Sequence, residues 1–173
     1  MTTPRVALVA ALTLALLSVS AATSAAPPIY RVSRVIDGDT IELRDGQRVR
    51  LVQIDTPEVY SGFECYGQAA SATAKRLLPE GTRVWLLLEP ASDPVDRYGR
   101  LLRYVVRVSD GANVNVRLVA VGAAAPWFYD GEIGRYATTL RTLAKQARAN
   151  SLGLWGACPR TAYDPYNAVQ TRR

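Results

Sequence analysis

Three short segments typical of β-strands follow one another in the chain, and turn residues separate them. The first segment covers residues 30–36 and the second covers residues 40–44, with Asp37-Gly38-Asp39 between them. Asp45-Gly46, a pair typical of two-residue hairpin loops, precedes the third segment at residues 47–54. Apolar and polar side chains alternate along the second and third segments. The sequence therefore predicts a meander of three strands.

Two further strands and three helices are predicted in the rest of the chain. The strands are expected at residues 82–89 and 100–108, and the helices at residues 67–78, 113–121 and 132–150, with an extended or irregular stretch at residues 123–129. Five strands, the first three in a meander and the third and fourth separated by a helix, predict an α+β domain. The expected fold is a five-stranded Greek-key barrel of the OB type, with helices covering its open side.

The start of the chain has the pattern of a secretory signal peptide. Arg5 precedes an apolar run at residues 6–17, and small residues follow at residues 18–26. The apolar run is shorter than the roughly 20 residues that a membrane-spanning helix needs. We therefore predict a secreted protein without a stable membrane anchor after cleavage, and an uncleaved N-terminal anchor is the alternative. The predicted division is a signal peptide at residues 1–26, one domain at residues 27–158 and a polar tail at residues 159–173, whose last residues are expected to fray.

Histidine is absent from the 173 residues, and this absence narrows the chemistry. It excludes hydrolysis by a Ser-His-Asp triad, histidine-ligated zinc and nucleases that depend on histidine. The chain has 21 basic and 15 acidic side chains, and all the basic residues except Lys75 and Lys145 are arginines. Because a guanidinium group matches the geometry of phosphate, this excess of arginine favours an anionic partner, and codon bias of the genome is the alternative explanation.

Cys65 and Cys158 are the two cysteines of the chain. In an exported protein, an isolated pair is most simply explained by one disulfide. A zinc site built on two cysteines would lack histidine partners, and a redox-active pair would usually have the spacing CxxC. The disulfide is therefore the favoured interpretation, and the other two are weaker.

Carboxylates and arginines cluster at the predicted strand ends. Asp39 lies between the first two strands, Arg50 lies within the third, and Asp55 follows it. Two aspartates with backbone carbonyls and water suit a hard cation such as Ca²⁺. A cation beside Arg50 and Arg100 would stabilise the negative charge that develops when a phosphodiester is attacked. Glu58 is then a candidate general base.

Each of these features also has a purely structural interpretation. Asp37-Gly38-Asp39, taken alone, is more often a hairpin turn than a metal site. Arg50 could be a solvated residue on a sheet edge. Arg100 could pair with Glu89 or Asp96. Only the combination of these residues favours a catalytic site over unrelated turns and surface charges.

The order and spacing of four short motifs resemble the staphylococcal nuclease family. They are Val35-Ile36-Asp37-Gly38-Asp39-Thr40, Arg50-Leu51, Ile54-Asp55-Thr56-Pro57-Glu58 and Asp96-Arg97-Tyr98-Gly99-Arg100. Val114-Asn115 and Leu152-Gly153-Leu154-Trp155 also look like that family, so the resemblance spans residues 30–156. It implies a five-stranded OB barrel with three helices. It also implies a Ca²⁺-dependent hydrolase of DNA and RNA that leaves 3′-phosphate ends.

The resemblance further implies a metal site and a catalytic base. By position, Asp39 and Asp55 look like the side-chain ligands of Ca²⁺. Thr56 looks like the residue that binds the cation through its backbone carbonyl. Glu58 looks like the residue that positions water or acts as the general base.

The remaining matched residues imply contacts to the substrate. Arg50 and Arg100 look like the phosphate clamps, and Arg97 and Tyr98 look like contacts to the nucleotide end. The family places tyrosine rings near the base in the segment that matches residues 123–129. In this chain that segment contains Trp127, Phe128 and Tyr129; the resemblance does not single out one ring, and Tyr129 is included among the predicted substrate contacts. A role in the core is the alternative for the aromatic residues of that segment.

Two functions of different classes are compatible with these observations. The favoured one is a secreted, monomeric, Ca²⁺-dependent nuclease that prefers single-stranded DNA or RNA. The alternative is a non-catalytic OB-fold protein that binds nucleic acid through charge and stacking. A binding module would tolerate the loss of Glu58 or Arg100, and this chain has both, which favours the enzyme.

Overall fold

The computed structural model describes residues 26–60 and 64–166, so all but the last residue of the predicted signal peptide lies outside the described residues. The strands are β1 (Tyr30–Val35), β2 (Thr40–Leu43), β3 (Arg48–Leu51), β4 (Ile54–Asp55), β5 (Arg83–Leu88), β6 (Leu101–Arg107) and β7 (Ala125–Pro126). The helices are α1 (Gly67–Leu77), α2 (Val114–Ala120), α3 (Ala137–Ala149) and the short α4 (Leu154–Ala157), and a 3₁₀ turn covers Tyr129–Gly131.

Five of the strands form a closed barrel in the order β1-β2-β3-β6-β5, which confirms the predicted α+β fold with a five-stranded barrel of the OB type. β1, β2 and β3 pair antiparallel as the predicted meander. β3 pairs parallel with β6, and β5 pairs antiparallel with β1, so each of the five strands has a neighbour on both sides. Alternate side chains point into the barrel, where Val32, Ile41 and Leu51 are fully buried.

The predicted third strand at residues 47–54 is interrupted in the structure. β3 ends at Leu51, and Ile54 and Asp55 form β4, which pairs with β7 instead of continuing along the barrel. Between them, Gln53 has a φ of 62°, in the left-handed region that residues other than glycine seldom adopt. The alternation of side chains carries no sign of this bend, because the bend depends on contacts of Gln53 with distant parts of the chain.

The last long helix begins at Ala137 rather than at residue 132 as predicted. The backbone of Glu132 is extended, and Gly134 packs tightly on a side chain from the bend after β3. A Cβ atom at position 134 would lie 2.2 Å from Nε2 of Gln53, so any larger residue there would have to displace the glutamine amide. Once it begins, α3 packs its buried face, which includes Leu140, against α2 and the barrel core.

The tail after α4 packs against the domain at least as far as Tyr163. This ring is 7% exposed and joins Ala125, Leu154 and Cys158 in a small apolar cluster beside the main core. The predicted disulfide between Cys65 and Cys158 is present. Within the described residues, none of the helices has the length and apolar character that a membrane span requires.

Candidate active site

Arg50 is the centre of a buried polar cluster at the end of β3. Its Nη1 donates to the carbonyl oxygens of Leu51 at 2.7 Å and Ile54 at 2.8 Å. Its Nε lies 3.2 Å from Oδ1 of Asp39, and its Nη2 lies 3.0 Å from Oδ1 of Asp55. The interpretation of Arg50 as a solvated edge residue is therefore wrong, because β3 has neighbours on both sides and the guanidinium has protein partners.

Asp39 connects this cluster to the segment that follows β4. Its Oδ2 accepts hydrogen bonds from both the backbone nitrogen and Oγ1 of Thr56, each at 2.9 Å. The preceding Gly38 packs directly on Thr56, and a Cβ atom there would lie 2.4 Å from the threonine Oγ1. The backbone nitrogen of Asp39 also donates to Oδ1 of Asp37 at 3.1 Å. Asp37-Gly38-Asp39 is thus both a turn and part of the buried cluster.

The carboxylates around Arg50 carry more negative charge than one guanidinium offsets. Burial, followed by the charge of Asp39, raises the pKa of Asp37 to about 6. Burial also raises the pKa of Asp55 to about 7, with Arg50 opposing the rise and Asp39 and Glu58 adding to it. Burial opposes the charge on Arg50, but the neighbouring carboxylates outweigh it and raise the arginine's pKa. The cluster would therefore be stabilised by additional positive charge.

The composition of this cluster fits a hard divalent cation. Asp39, Asp55 and the carbonyl of Thr56 offer only oxygen atoms, which suit Ca²⁺ or Mg²⁺ better than a soft metal. Over residues 26–60 and 64–166, the structure does not gather three or more Asp, Glu, Cys or His side chains in a ready-made cation site. Any cation would have to share Asp39 and Asp55 with Arg50 and complete its shell with carbonyl oxygens and water.

Glu58 follows β4 and lies at the edge of the cluster. Its charge contributes to raising the pKa values of Arg50 and Asp55, so its carboxylate is close enough to act on both. Its backbone is held by Glu64, whose Oε2 accepts from the nitrogen of Glu58 at 3.1 Å. Glu64 carries no distinguishing signal in the sequence, because it is one glutamate in a polar loop.

Arg100 approaches the cluster from the barrel strand next to β3. Its Nε donates to Oδ2 of Asp96 at 2.7 Å, and its backbone nitrogen donates to Oδ1 of the same residue at 3.0 Å. The pairing with Asp96, considered in the sequence analysis as a structural alternative, is thus present. The same guanidinium also places Nη1 3.5 Å from Oγ1 of Thr40, the neighbour of Asp39. The ion pair therefore orients Arg100 toward the cluster.

A groove of about 690 Å³ runs beside the cluster, and its lining includes Arg50, Arg97, Arg100, Tyr98, Trp127 and Tyr129. Tyr98 is 68% exposed and lies under the guanidinium groups of Arg97 and Arg100, at 4.9 and 5.4 Å. Tyr129 is 58% exposed and contacts the edge of Trp127. The predicted substrate residues Arg97, Tyr98 and Tyr129 therefore lie on one surface.

The aromatic segment after β7 divides between groove and core. Phe128 is buried in the core, as the structural alternative expected. Trp127 lines the groove, and its ring centroid lies 5.5 Å from the guanidinium carbon of Arg50. The sequence pattern does not distinguish this tryptophan from its two aromatic neighbours. Its backbone nitrogen donates to the carbonyl of Gln53, so the bend after β3 sets its position.

Gln53 is a second residue whose role only the structure reveals. Its Oε1 lies 2.8 Å from the hydroxyl of the buried Tyr104, and its Nε2 donates to the carbonyl of Glu132 at 3.0 Å. It therefore joins the barrel to the segment that forms one wall of the groove. A glutamine between the apolar Val52 and Ile54 fits an ordinary alternating strand, so the sequence carries no signal of this role.

Comparison with known proteins gives a consistent set of relatives. The family described as Staphylococcal nuclease homologue matches residues 48–157. The protein named Thermonuclease from Staphylococcus intermedius is 39% identical over 132 residues, which cover 73% of this chain and 75% of that protein. An "Uncharacterized endonuclease" from Escherichia coli O157:H7 is 39% identical over 130 residues, with coverages of 72% and 75%. The Thermonuclease from Staphylococcus hyicus is 36% identical over 132 residues, with coverages of 73% and 75%.

Proposed function

The chain belongs to the staphylococcal nuclease family, and we propose that it is an exported, Ca²⁺-dependent endonuclease that hydrolyses DNA and RNA to leave 3′-phosphate ends. The observation that carries this proposal is the position of Arg50. It binds the two carboxylates Asp39 and Asp55 on one side and borders a groove of arginines and aromatic rings on the other. Phosphate-binding and base-binding groups thus stand next to a cluster that favours additional positive charge.

Arg50 and Arg100 act on the phosphate in this proposal. Each keeps its charge at any relevant pH. Arg50 has one Nη2 hydrogen beyond its four protein partners to donate to a phosphodiester. Arg100 has Nη hydrogens beyond its bonds to Asp96 and Thr40. Asp96 holds Arg100 in place, and the carbonyls of Leu51 and Ile54 hold Arg50. Because both guanidinium groups are oriented before substrate binds, they stabilise the extra negative charge of the transition state without reorganising.

Glu58 accepts the proton of the attacking water. A carboxylate is the strongest base that this chain offers there, since it has no histidine. Attack on phosphorus by this water breaks the bond to the 5′ oxygen, and the phosphate stays on the 3′ end. The leaving oxygen takes its proton from solvent, because an arginine with a pKa above about 12 is a poor proton donor.

Asp39, Asp55 and the carbonyl of Thr56 are the groups that would hold Ca²⁺. When bound, the cation supplies positive charge beside the scissile phosphate. Burial, together with the charges of neighbouring carboxylates, raises the pKa values of Asp37 and Asp55, and this need for positive charge supports the assignment. Cleavage with Mg²⁺ is the matched comparison to cleavage with Ca²⁺, because Mg²⁺ requires a more regular, octahedral arrangement of ligands.

The groove supports a preference for single strands. The exposed rings of Tyr98 and Tyr129 offer stacking surfaces, and unpaired bases are free to stack on them. Arg97 then lies beside the phosphate of the terminal nucleotide. Such a surface does not distinguish DNA from RNA, and we propose that both are substrates. The proposed working unit is the monomer.

The proposal of export rests on the pattern of residues 1–26 and on the disulfide. Structural disulfides persist in oxidising compartments, outside the reducing cytosol. Export should therefore remove the apolar leader by cleavage after Ala25 or Ala26, the two positions that follow small residues. N-terminal sequencing of the protein recovered outside its producing cells tests this assignment, and an intact Met1 would support the uncleaved anchor instead.

Incubation of the full-length, folded protein with end-labelled single-stranded DNA or RNA tests the activity. We expect cleavage with Ca²⁺, little with Mg²⁺ and none with a chelator. The new 3′ ends should block primer extension until a phosphatase removes their phosphate. Binding without cleavage under all divalent cations would instead identify the chain as a non-catalytic nucleic-acid-binding barrel.

A further inference from the structure

The backbone of Glu58 is held at both of its polar groups by one residue, Glu64. The nitrogen of Glu58 donates to Oε2 of Glu64 at 3.1 Å, and the carbonyl of Glu58 accepts from the nitrogen of Glu64 at 3.0 Å. Gly67, the first residue of α1, also packs against that carbonyl, and a Cβ atom there would lie 2.4 Å from the oxygen. The position of Glu58 therefore depends on its neighbours in the loop before α1.

Glu64 is in turn held by the C-terminal tail. The hydroxyl of Tyr163 donates to Oε2 of Glu64 at 3.1 Å, which is the same oxygen that receives the nitrogen of Glu58. The residue after Glu64 is Cys65, and its disulfide to Cys158 ties the loop to the chain just before the tail. Two independent links, one covalent and one hydrogen-bonded, thus connect the tail to the loop.

The C-terminal tail is itself held in place by packing of Tyr163 against the domain. Tyr163 is buried, and its ring packs in the cluster formed by Ala125, Leu154 and Cys158. Ala125 belongs to β7 and pairs with Asp55 of β4. The apolar cluster under the tail therefore includes a residue of the two-stranded sheet β4-β7. The same sheet contains Asp55, one of the proposed cation ligands, so the tail and the site pack on a shared element.

We propose that Glu64 and Tyr163 are positioning residues for Glu58, and that the Cys65–Cys158 disulfide keeps this connection closed. This inference rests on the proposed function, because it assigns the tail a role in placing the proposed general base. Neither residue lines the groove, and their hydrogen bonds lead to the backbone of Glu58. Small displacements of a catalytic group can cost large factors in rate, which gives the connection a measurable consequence.

Tyr163→Phe removes the hydroxyl and keeps the buried ring. We expect kcat on single-stranded DNA to fall roughly 10-fold, with KM unchanged, because the groove is intact and only the base is displaced. Tyr166→Phe is the matched control, since Tyr166 belongs to the same tail and its ring lies on Lys145, away from Glu64. The control should retain the kcat of the unaltered protein.

Hydrogen exchange measures the same connection without any reference to activity. In Tyr163→Phe, the amide of Glu58 should exchange about 10-fold faster, while amides in the barrel strands keep their rates. Faster exchange throughout the barrel would show a merely structural role and overturn the proposal. If the unaltered protein cleaves no substrate, the proposed function fails, and the exchange at Glu58 still decides whether the tail holds this residue.

Glu64 offers a rescue experiment. Glu64→Ala removes the acceptor for both donors and should lower kcat at least as much as Tyr163→Phe. Glu64→Gln keeps an acceptor oxygen and should recover most of that loss. Equal kcat values in the two variants would overturn the assignment of Glu64.

Reduction of the disulfide tests the covalent link. Treatment of the folded protein with dithiothreitol transfers two electrons and two protons to the disulfide, which yields two thiols and the cyclic, oxidised reagent. We expect kcat to fall several-fold and to return after reoxidation in air. The double variant Cys65→Ser/Cys158→Ser should show the lowered kcat from the start and no response to dithiothreitol. Full kcat in this variant would overturn the role of the disulfide.

Discussion

The guanidinium Nε of Arg50 lies 3.2 Å from Oδ1 of Asp39, and the two side chains are only 9% and 8% exposed. In most surface ion pairs, water screens both charges, and the pair contributes little to the free energy of unfolding. Here both partners are buried, so each depends on the other to offset its own desolvation. Arg50 also lines the groove, which links the stability of the barrel to its proposed chemistry.

Replacing Arg50 should therefore destabilise the protein far more than replacing its neighbour on the same strand. Arg50→Gln leaves Asp39 and Asp55 without their buried partner, and we expect a loss of about 3–5 kcal/mol in the free energy of unfolding. Arg48→Gln removes an exposed arginine whose nearest carboxylate is 4.0 Å away and should cost at most about 1 kcal/mol. Chemical denaturation without divalent cations measures both, and equal losses would contradict the buried role of Arg50.

Replacing Glu58 should affect the reaction and not the fold. Glu58→Gln keeps the shape of the side chain but cannot accept a proton from water, so we expect kcat to fall roughly 10²- to 10⁴-fold. The melting temperature should stay close to that of the unaltered protein. Glu80→Gln, at an exposed position between α1 and β5, is the control for loss of one carboxylate. Activity within a few-fold of normal would remove Glu58 from the mechanism.

Removing an exposed ring from the groove should weaken substrate binding. A base stacked on an aromatic side chain contributes about 1–3 kcal/mol, so Tyr98→Ala should raise the Kd for single-stranded DNA roughly 5- to 150-fold. Tyr166→Ala removes an equally accessible ring outside the groove and should leave the Kd unchanged. Fluorescence anisotropy in the Glu58→Gln background, where the substrate stays intact, provides the measurement. An unchanged Kd for Tyr98→Ala would argue against stacking at this position.

Glu89 should make the stability of the protein depend on pH in the acid range. Burial opposes its charge, but hydrogen bonds from the amides of Arg135 and Ala91 and from the hydroxyl of Tyr104 outweigh burial and lower its pKa. A lowered pKa in the folded state means that the stabilisation is complete above the ordinary glutamate value of 4.5 and is lost as the pH falls through the folded value.

The variant Glu89→Gln isolates this contribution. At neutral pH it should be less stable than the unaltered protein by about 1–3 kcal/mol, because an amide cannot accept all the hydrogen bonds that the carboxylate accepts. The difference between the two proteins should shrink once the pH drops below 4.5. Urea denaturation across the acid range measures the free energy of unfolding of both proteins. If the difference between them does not change with pH, the ionised form of Glu89 does not contribute to stability beyond the neutral form.

Much of the barrel was readable from the sequence because its signals are local. The Asp-Gly turns and the alternation of side chains set the first three strands, and β5 and β6 fall within the predicted ranges. The cysteine pair predicted a disulfide that the structure contains. The four motifs that resemble the staphylococcal nuclease family contain the residues that form the buried cluster and much of the groove lining. Each of these features depends on a residue and its close neighbours in the chain, so the printed sequence carries it directly.

The tertiary structure decided the environment of those residues. Arg50 is buried only because β3 pairs with β6, a strand some fifty residues later in the chain, and this pairing closes the barrel. Asp55 meets Arg50 only because Gln53 bends the chain through contacts with Tyr104 and Glu132. Such contacts join residues far apart in sequence, and no local pattern records them. The sequence by itself therefore determined the approximate positions of the five barrel strands, the motif residues and the cysteine pair. Long-range packing determined where the third strand ends, which charges are buried, which rings face the groove and how the tail reaches Glu64.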